Sequence, residues 1–274
     1  MSEESSPTTT YLVTGASSGL GLELVKQLAA RTGTGTTTIQ VFATCRKKIS
    51  SATGIDHISS VTPADGNVVT VLEGIDVAND DCKEKLIEAL AGANCEKIDV
   101  VIHNAGGMGN KSMESQSFEN VTSEMMLNTV NLNGVGPLRV QQALQSKGYM
   151  GTGDDSTGGK IVIITSGMGS IGDNGSGGMY AYRSSKALVN MVAKNMAVDF
   201  KPKGISVMAL NPGMVATEFG GFGSDNMAKM GGMTPEKSVG QMIQAIDELS
   251  LETTGRFVTV DRSGDAPKEF APGW

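Results

Sequence analysis

A chain of 274 residues, 39% of them hydrophobic, can bury the core of one large domain or at most two small ones. Its net charge of −7 argues against nucleic acid or an anionic membrane as the main partner, and it contains no run of about 18 apolar residues to span a bilayer. Cys45, Cys82 and Cys95 are scattered without CxxC spacing and His57 lies far from His103, so a disulfide framework, a metal site and a Ser-His-Asp triad are all unsupported.

In chain order, residues 1–9 are polar and acidic, and are expected to be a flexible N-terminus. They lack the basic and apolar regions of a secretory signal, so a cytoplasmic setting is expected. "TYLVTG" (10–15) is a strand candidate, and "GLGLELVKQLAAR" (19–31) follows with helical spacing. Further strands are expected in 38–45, 67–77, 97–106, 159–166, 204–213 and 255–261. Helical patterns occupy 80–92, roughly 118–147, 179–201 and 234–250, the last with Thr234 as N-cap and Pro235 at its first position. The glycine-rich stretches 148–160 and 172–179 read as loops. Strands alternating with helices predict βαβ units. Their Val- and Ile-rich strands, with little polar alternation, suit a parallel sheet covered on both faces. The expected fold is a Rossmann-type, doubly wound, seven-stranded parallel sheet flanked by helices, in a single domain over 10–274.

"TGASSGLG" (14–21) joins the first strand to the first helix. Such a turn leaves backbone N–H groups open at a helix N-terminus, where the helix dipole favours a pyrophosphate. Gly15 would make the tight turn, Gly19 would let the backbone approach the ligand, and Gly21 would allow close helix–sheet packing, with Ser17, Ser18 and Leu20 between them. The spacing is Gly-x3-Gly-x-Gly rather than GxGxxG; a plain turn with packing glycines is the alternative. An NAD-preferring site carries a carboxylate at the end of the second strand. Here that strand ends "ATCRKK", so Arg46 and Lys47 would meet a 2′-phosphate, and the expected cofactor is NADP(H). Asp76, in "IDVAND" with Val77, would accept from an adenine amino group or else start the next helix.

These motifs continue along the chain as "HNAG" (103–106), a serine in "ITSGMGSIG" (164–172), "YRSSK" (182–186) and "PGMVAT" (212–217). Together with the glycine turn they follow one order, each at a strand end or on the next helix. In this the chain resembles the short-chain dehydrogenase/reductase family over roughly 10–274. "FATCR", "NGVGPL" and the closing tryptophan are similar to its sniffer-type or C-factor-like carbonyl reductases. Two departures are His103, where the family usually has Asn, and a long glycine-rich segment between Ser166 and Tyr182.

The resemblance implies a hydride transfer between nicotinamide and a ketone or aldehyde, with the alcohol as the other partner. Tyr182 would be the general acid, and Lys186, one helical turn on, would lower its pKa from about 10 and hold the nicotinamide ribose. Ser166 would place the carbonyl oxygen, with Thr165 and Ser170 as alternatives. The relay asparagine would be Asn133, or Asn131, holding a water that leads to Lys186. Asn104, Ala105 and Gly106 would line the ribose. Pro212, Gly213, Val215 and Thr217 would meet the nicotinamide end. Residues 218–233, rich in Gly and Met, would form a mobile lid over an apolar substrate or a plain surface loop. A homodimer or homotetramer is compatible with the family. The rival functions are a non-enzymatic dinucleotide sensor, an NAD-dependent alcohol dehydrogenase, and an isomerase or dehydratase that retains its nucleotide.

Overall fold

The computed structural model describes residues 7–32, 37–47, 56–109, 113–154 and 158–274. The last part of the 1–9 stretch is already strand, and residues 1–6 lie outside the described residues. The strands are β1 Thr8–Val13, β2 Thr38–Cys45, β3 Val68–Glu73, β4 Val100–His103, β5 Lys160–Ile164, β6 Ser206–Asn211, β7 Phe257–Thr259 and β8 Lys268–Glu269. The helices are α1 Gly19–Ala30, α2 Asp56–Ser59, α3 Cys82–Gly92, α4 Ser123–Val130, α5 Gly136–Ser146, α6 Tyr180–Phe200, α7 Ser224–Lys229 and α8 Pro235–Asp247. The sheet order is β3-β2-β1-β4-β5-β6-β7-β8.

The first seven strands pair in parallel, as expected from their apolar runs. Alternate residues of one strand feed two cores. Tyr11, Val13, Val162, Ile164, Met208 and Leu210 pack under α1 and α8. Leu12, Ile161, Ile163, Val207 and Ala209 pack under α3, α5 and α6. This two-sided burial is why the strands show no polar face. Among the described residues, no helix is long and apolar enough to cross a membrane.

An eighth strand was not anticipated. β8 adds antiparallel to β7 through two exposed residues, Lys268 and Glu269, which carry no hydrophobic signal. Aromatic residues at the C-terminus hold it in place. Phe270 stacks on Phe257 at 4.5 Å, Trp274 lies 5.4 Å from Phe257, and Lys194 sits 5.6 Å over Trp274.

The expected 118–147 helix is also divided. Residues Glu114–Gln116 make a 3-10 turn, Thr122 caps α4 by accepting from Met125 N–H at 3.1 Å, and a π-helical turn, Asn131–Val135, separates α4 from α5. Pro137 near the start of α5 lacks an N–H to donate back across that turn. Thr234 does cap α8, accepting from Lys237 N–H at 3.3 Å, with Pro235 following. Residues 218–233 are more regular than a plain loop: they hold the 3-10 turn Phe219–Gly221 and α7, and Met233 bridges to Val215.

Strand order reverses between β1 and β4, which both neighbour the chain's first turn. A crevice outside the carboxyl ends of the strands at such a switch point is where doubly wound sheets place ligands.

Candidate active site

The glycine turn is built by crossing hydrogen bonds from β4. Thr14 Oγ1 accepts from both Asn104 N–H and Ala105 N–H at 3.0 Å, and Asn104 Nδ2 donates to Thr14 O at 2.9 Å and Gly15 O at 3.1 Å. Gly15 and Gly19 have φ of +66° and +54°, a region costly for residues with a Cβ. A Cβ on Gly21 would lie 2.3 Å from Gly15 O and 2.5 Å from Asn104 Nδ2, so only glycine lets α1 approach. Ser18 is the N-cap of α1, yet its side chain makes no cap bond, and Ser18 and Gly19 are exposed. The open first turn fits an anionic pyrophosphate. Ser17 and Leu20 are half-buried beside it.

Around this turn the remaining candidates gather at the same strand ends. Arg46 and Lys47 are exposed just past β2, whose Thr44 O accepts from Ala16 N–H at 2.9 Å. Asp76 is half-buried past β3, and its Oδ1 accepts from Ala78 N–H at 3.1 Å. Val77 beside it is buried against Gly136, where a Cβ would lie 2.8 Å from Val77 Cγ2. Ala105 packs on Gly15, and Gly106 is exposed next to Asn133. Beyond β6, Pro212 O accepts from Ser238 Oγ at 2.8 Å, and Gly213 takes φ +74° over the Met233 methyl. Thr217 is buried, and its Cβ would be the nearest neighbour of a Cβ on Gly19, at 3.9 Å. The segment after β6 therefore reaches back over the glycine turn.

The other side of the crevice is carried by α6. Tyr182 and Lys186 are both buried on one face of it, while Tyr180, two residues earlier, is exposed. Ser166 stands beside the Tyr182 phenol, and its Oγ accepts from Met168 N–H at 3.2 Å. Of the alternative serine-loop residues, Thr165 bonds Asn190 and Ser170 accepts from Asp173 N–H, so only Ser166 faces the tyrosine. Lys186 Nζ donates to Ile164 O at 2.9 Å and stands 5.8 Å from the Tyr182 ring centroid. Gly169 of the intervening 3-10 turn packs directly on Lys186, where a Cβ would lie 2.8 Å from Lys186 Cβ. The Phe219 ring meets the Tyr182 ring edge-on, with centroids 6.1 Å apart.

The electrostatics correct one expectation. Lys186 does not lower the phenol in this state: burial pushes Tyr182 up to about 12, and only the Ser166 hydroxyl pulls the other way. Burial also pulls Lys186 down to about 8. The ammonium is held on Ile164 O rather than on the phenol oxygen, so desolvation outweighs the lysine's attraction.

The two asparagines separate cleanly. Asn133 is buried, its Oδ1 accepting from Gly107 N–H at 2.8 Å and its Nδ2 donating to Gly107 O at 2.7 Å and Ser185 Oγ at 2.8 Å. Asn131 turns away: its Nδ2 donates to Ala78 O at 2.7 Å, and its Oδ1 accepts from Arg139, which also pairs with Asp80 at 2.7 Å. Asn131 thus braces the turn after β3 and does not reach the tyrosine. His103 is buried on the helix side of β4, its Nε2 3.2 Å from Gln141 Oε1, and burial pulls its pKa down to about 4. A neutral imidazole there supports α5 without facing the crevice.

Sequence reasoning did not single out Thr14 as the clamp on Asn104, nor Gln116, whose Oε1 accepts from the Tyr182 backbone N–H at 3.0 Å. Thr14 lies inside the glycine motif, so its position was visible but its partner was not. Gln116 sits among Glu114, Ser115 and Ser117 in an aperiodic polar stretch, where nothing sets it apart from its neighbours.

A doubly wound sheet carries an open glycine turn facing buried Tyr182 and Lys186, with half-buried Ser166 beside them, the make-up of an α/β oxidoreductase. Residues 9–227 match the family model described as short chain dehydrogenase, and the chain belongs to that family. It is 38% identical over 192 residues to 1-hydroxy-2-glutathionyl-2-methyl-3-butene dehydrogenase of Rhodococcus sp. (strain AD45), covering 69% of this chain and 76% of that one. Among solved structures it resembles the carbonyl reductase Sniffer of D. melanogaster, with TM-score 0.72 and 28% identity over 93% of this chain and 97% of that one. It also resembles the NADPH-bound carbonyl reductase from chicken fatty liver, with TM-score 0.73 and 26% identity over 92% and 96% of the two chains.

Proposed function

We propose that this oxidoreductase is an NADPH-dependent carbonyl reductase in which Tyr182 delivers the proton. When bound, the reduced nicotinamide supplies the hydride. The observation that carries the reading is the buried Tyr182 phenol beside Ser166, with Lys186 one turn along the same helix face. The glycine turn from Gly15 to Gly21, which leads into the open N-terminus of α1, would hold the pyrophosphate. Arg46 and Lys47 bind a ribose 2′-phosphate, which a carboxylate at that place would repel. Asp76 and Val77 border the adenine. Asn104, Ala105 and Gly106 border the ribose, and Pro212, Gly213, Val215 and Thr217 the nicotinamide end.

Ser166 donates a hydrogen bond to the substrate oxygen and so orients the carbonyl. With its pKa near 12, Tyr182 stays protonated at neutral pH and can act as the acid. The positive charge of Lys186, brought to bear once water is excluded, stabilises the phenolate left behind. Asn133 fixes the turn at Gly107 and bonds Ser185, the residue before Lys186. Phe219, edge-on to Tyr182, forms an apolar wall on the substrate side, and residues 218–233 close over it. The likeness to a carbonyl reductase solved with NADPH supports this reading.

The test is a panel of ketones and aldehydes incubated with the protein and either NADPH or NADH, following loss of the reduced nicotinamide. Turnover of at least one carbonyl with NADPH preferred is expected. No turnover across the panel, or a preference for NADH, overturns the reading.

A further inference from the structure

Gln116 lies outside every motif above, yet it is completely buried. Its Oε1 accepts from the Tyr182 backbone N–H at 3.0 Å, and its Nε2 donates to Met108 O at 2.7 Å. Tyr182 is the third residue of α6, so its N–H is one of the donors that a helix cannot satisfy within itself. The residue before the helix supplies no cap for that N–H: Met179, with φ 51° and ψ 41°, makes no side-chain cap bond, and its carbonyl accepts from Arg183 N–H instead. The missing cap comes from across the fold, through Gln116. Two residues on, Phe118 packs against Tyr180 with ring centroids 5.9 Å apart, so the same segment grips the first turn of α6 twice. At its other end Gln116 holds Met108, which follows the Gly107 that bonds Asn133.

We propose that Gln116 is a positioning residue. It sets the first turn of α6, and with it the Tyr182 phenol, against the loop after β4. The inference rests on the reading of Tyr182 as the proton donor. Glutamine suits the task because it is neutral and offers one acceptor and one donor at the end of a two-carbon arm. Methionine has the same reach and neither group. A protonated glutamate keeps both functions, its carbonyl accepting and its hydroxyl donating. An ionised one presents only acceptors and meets Met108 O with its charge. Among the described residues, the ionisable groups on the Gln116 segment and the first two turns of α6 are Glu114, Glu119, Tyr180, Tyr182, Arg183 and Lys186; Arg183 is engaged with Ser176 at 2.7 Å and Met168 O at 3.4 Å, and Lys186 with Ile164 O.

Three readouts test it. In Gln116→Met the kcat should fall about 10- to 100-fold, as expected for a misplaced reacting group, while the KM and the NADPH Kd stay unchanged. In the ligand-free protein, amide hydrogen exchange over residues 180–185 of that variant should quicken by about 10-fold or more. Gln116→Glu, compared with the wild type at each pH, should approach it in acid and fall away as pH rises. Unchanged exchange in Gln116→Met, or wild-type kcat in that variant, overturns the proposal. A wild-type protein that reduces no carbonyl defeats the reading of function instead, and the exchange measurement then decides the role of Gln116 alone.

Discussion

On the β1–β2 side of the crevice the chain is shaped by backbone. Gly15 and Gly19 take positive φ, Gly21 leaves room that no other residue could leave, and the short side chains of Thr14 and Asn104 only pin that backbone in place. On the α6 side the shape comes from buried polar side chains, each with two or more hydrogen-bond partners: Asn133 with Gly107 and Ser185, Gln116 with Tyr182 and Met108. The first arrangement suits a ligand that is a polyanion of fixed geometry, for which open N–H groups suffice. The second suits a reaction, where a phenol and a hydroxyl must be held to a fraction of an ångström. Substitutions should therefore divide: changes in the glycine turn should act on affinity and stability, and changes around α6 should act on turnover.

The largest effect on the backbone side is expected from Gly21→Ala. Its Cβ would be forced against Gly15 O and Asn104 Nδ2, so stability should drop by about 1–3 kcal/mol in denaturant unfolding, with a matching loss of NADPH affinity by fluorescence titration. If that variant loses turnover but binds NADPH normally, the division is broken. Arg46→Asp should raise the KM for NADPH by about 100-fold, from the lost charge-assisted bonds and the added repulsion, while leaving NADH little changed. Equal effects on both nucleotides would remove the 2′-phosphate from this place.

A smaller effect belongs to the α6 side and to pH. Lys186 is pulled to about 8 in the folded protein from an ordinary 10.5. The unfolded chain therefore binds the extra proton between those values, and the penalty for burying the ammonium, fully present below about 8, is relieved as pH rises. Relative to Lys186→Met, the ligand-free protein should gain on the order of 2 kcal/mol between pH 7 and 10. Above that, Tyr182 works oppositely, because its phenol resists ionisation up to about 12 while the unfolded tyrosine ionises near 10. A stability difference between the two proteins that does not change with pH would show that Lys186 is solvated in the folded state.

The two sides also differed in how far they could be read from residues alone. The glycine turn, the basic end of β2 and the Tyr182–Lys186 pair each announce themselves by local spacing. Seven strands were legible for the same reason, since burial on both faces leaves unbroken apolar runs. β8 was not, because two exposed charged residues are held there by Phe257, Phe270 and Trp274, contacts between distant positions. Nor could spacing show that Asn131 would serve Arg139 and Asn133 the turn at Gly107, since both lie in one π-helical turn and only their partners, distant in sequence, tell them apart. Spacing does not carry the direction of the Tyr182 shift either, because a lysine four residues away says nothing about how deeply both groups are buried.

The central claim is that Tyr182 moves the proton. Tyr182→Phe, measured for turnover of a reducible carbonyl and for NADPH Kd on the same preparation, tests it most directly. The account predicts a loss of kcat of about 10²- to 10⁴-fold with NADPH binding unchanged. Retained turnover, or a comparable loss of NADPH affinity, would contradict it.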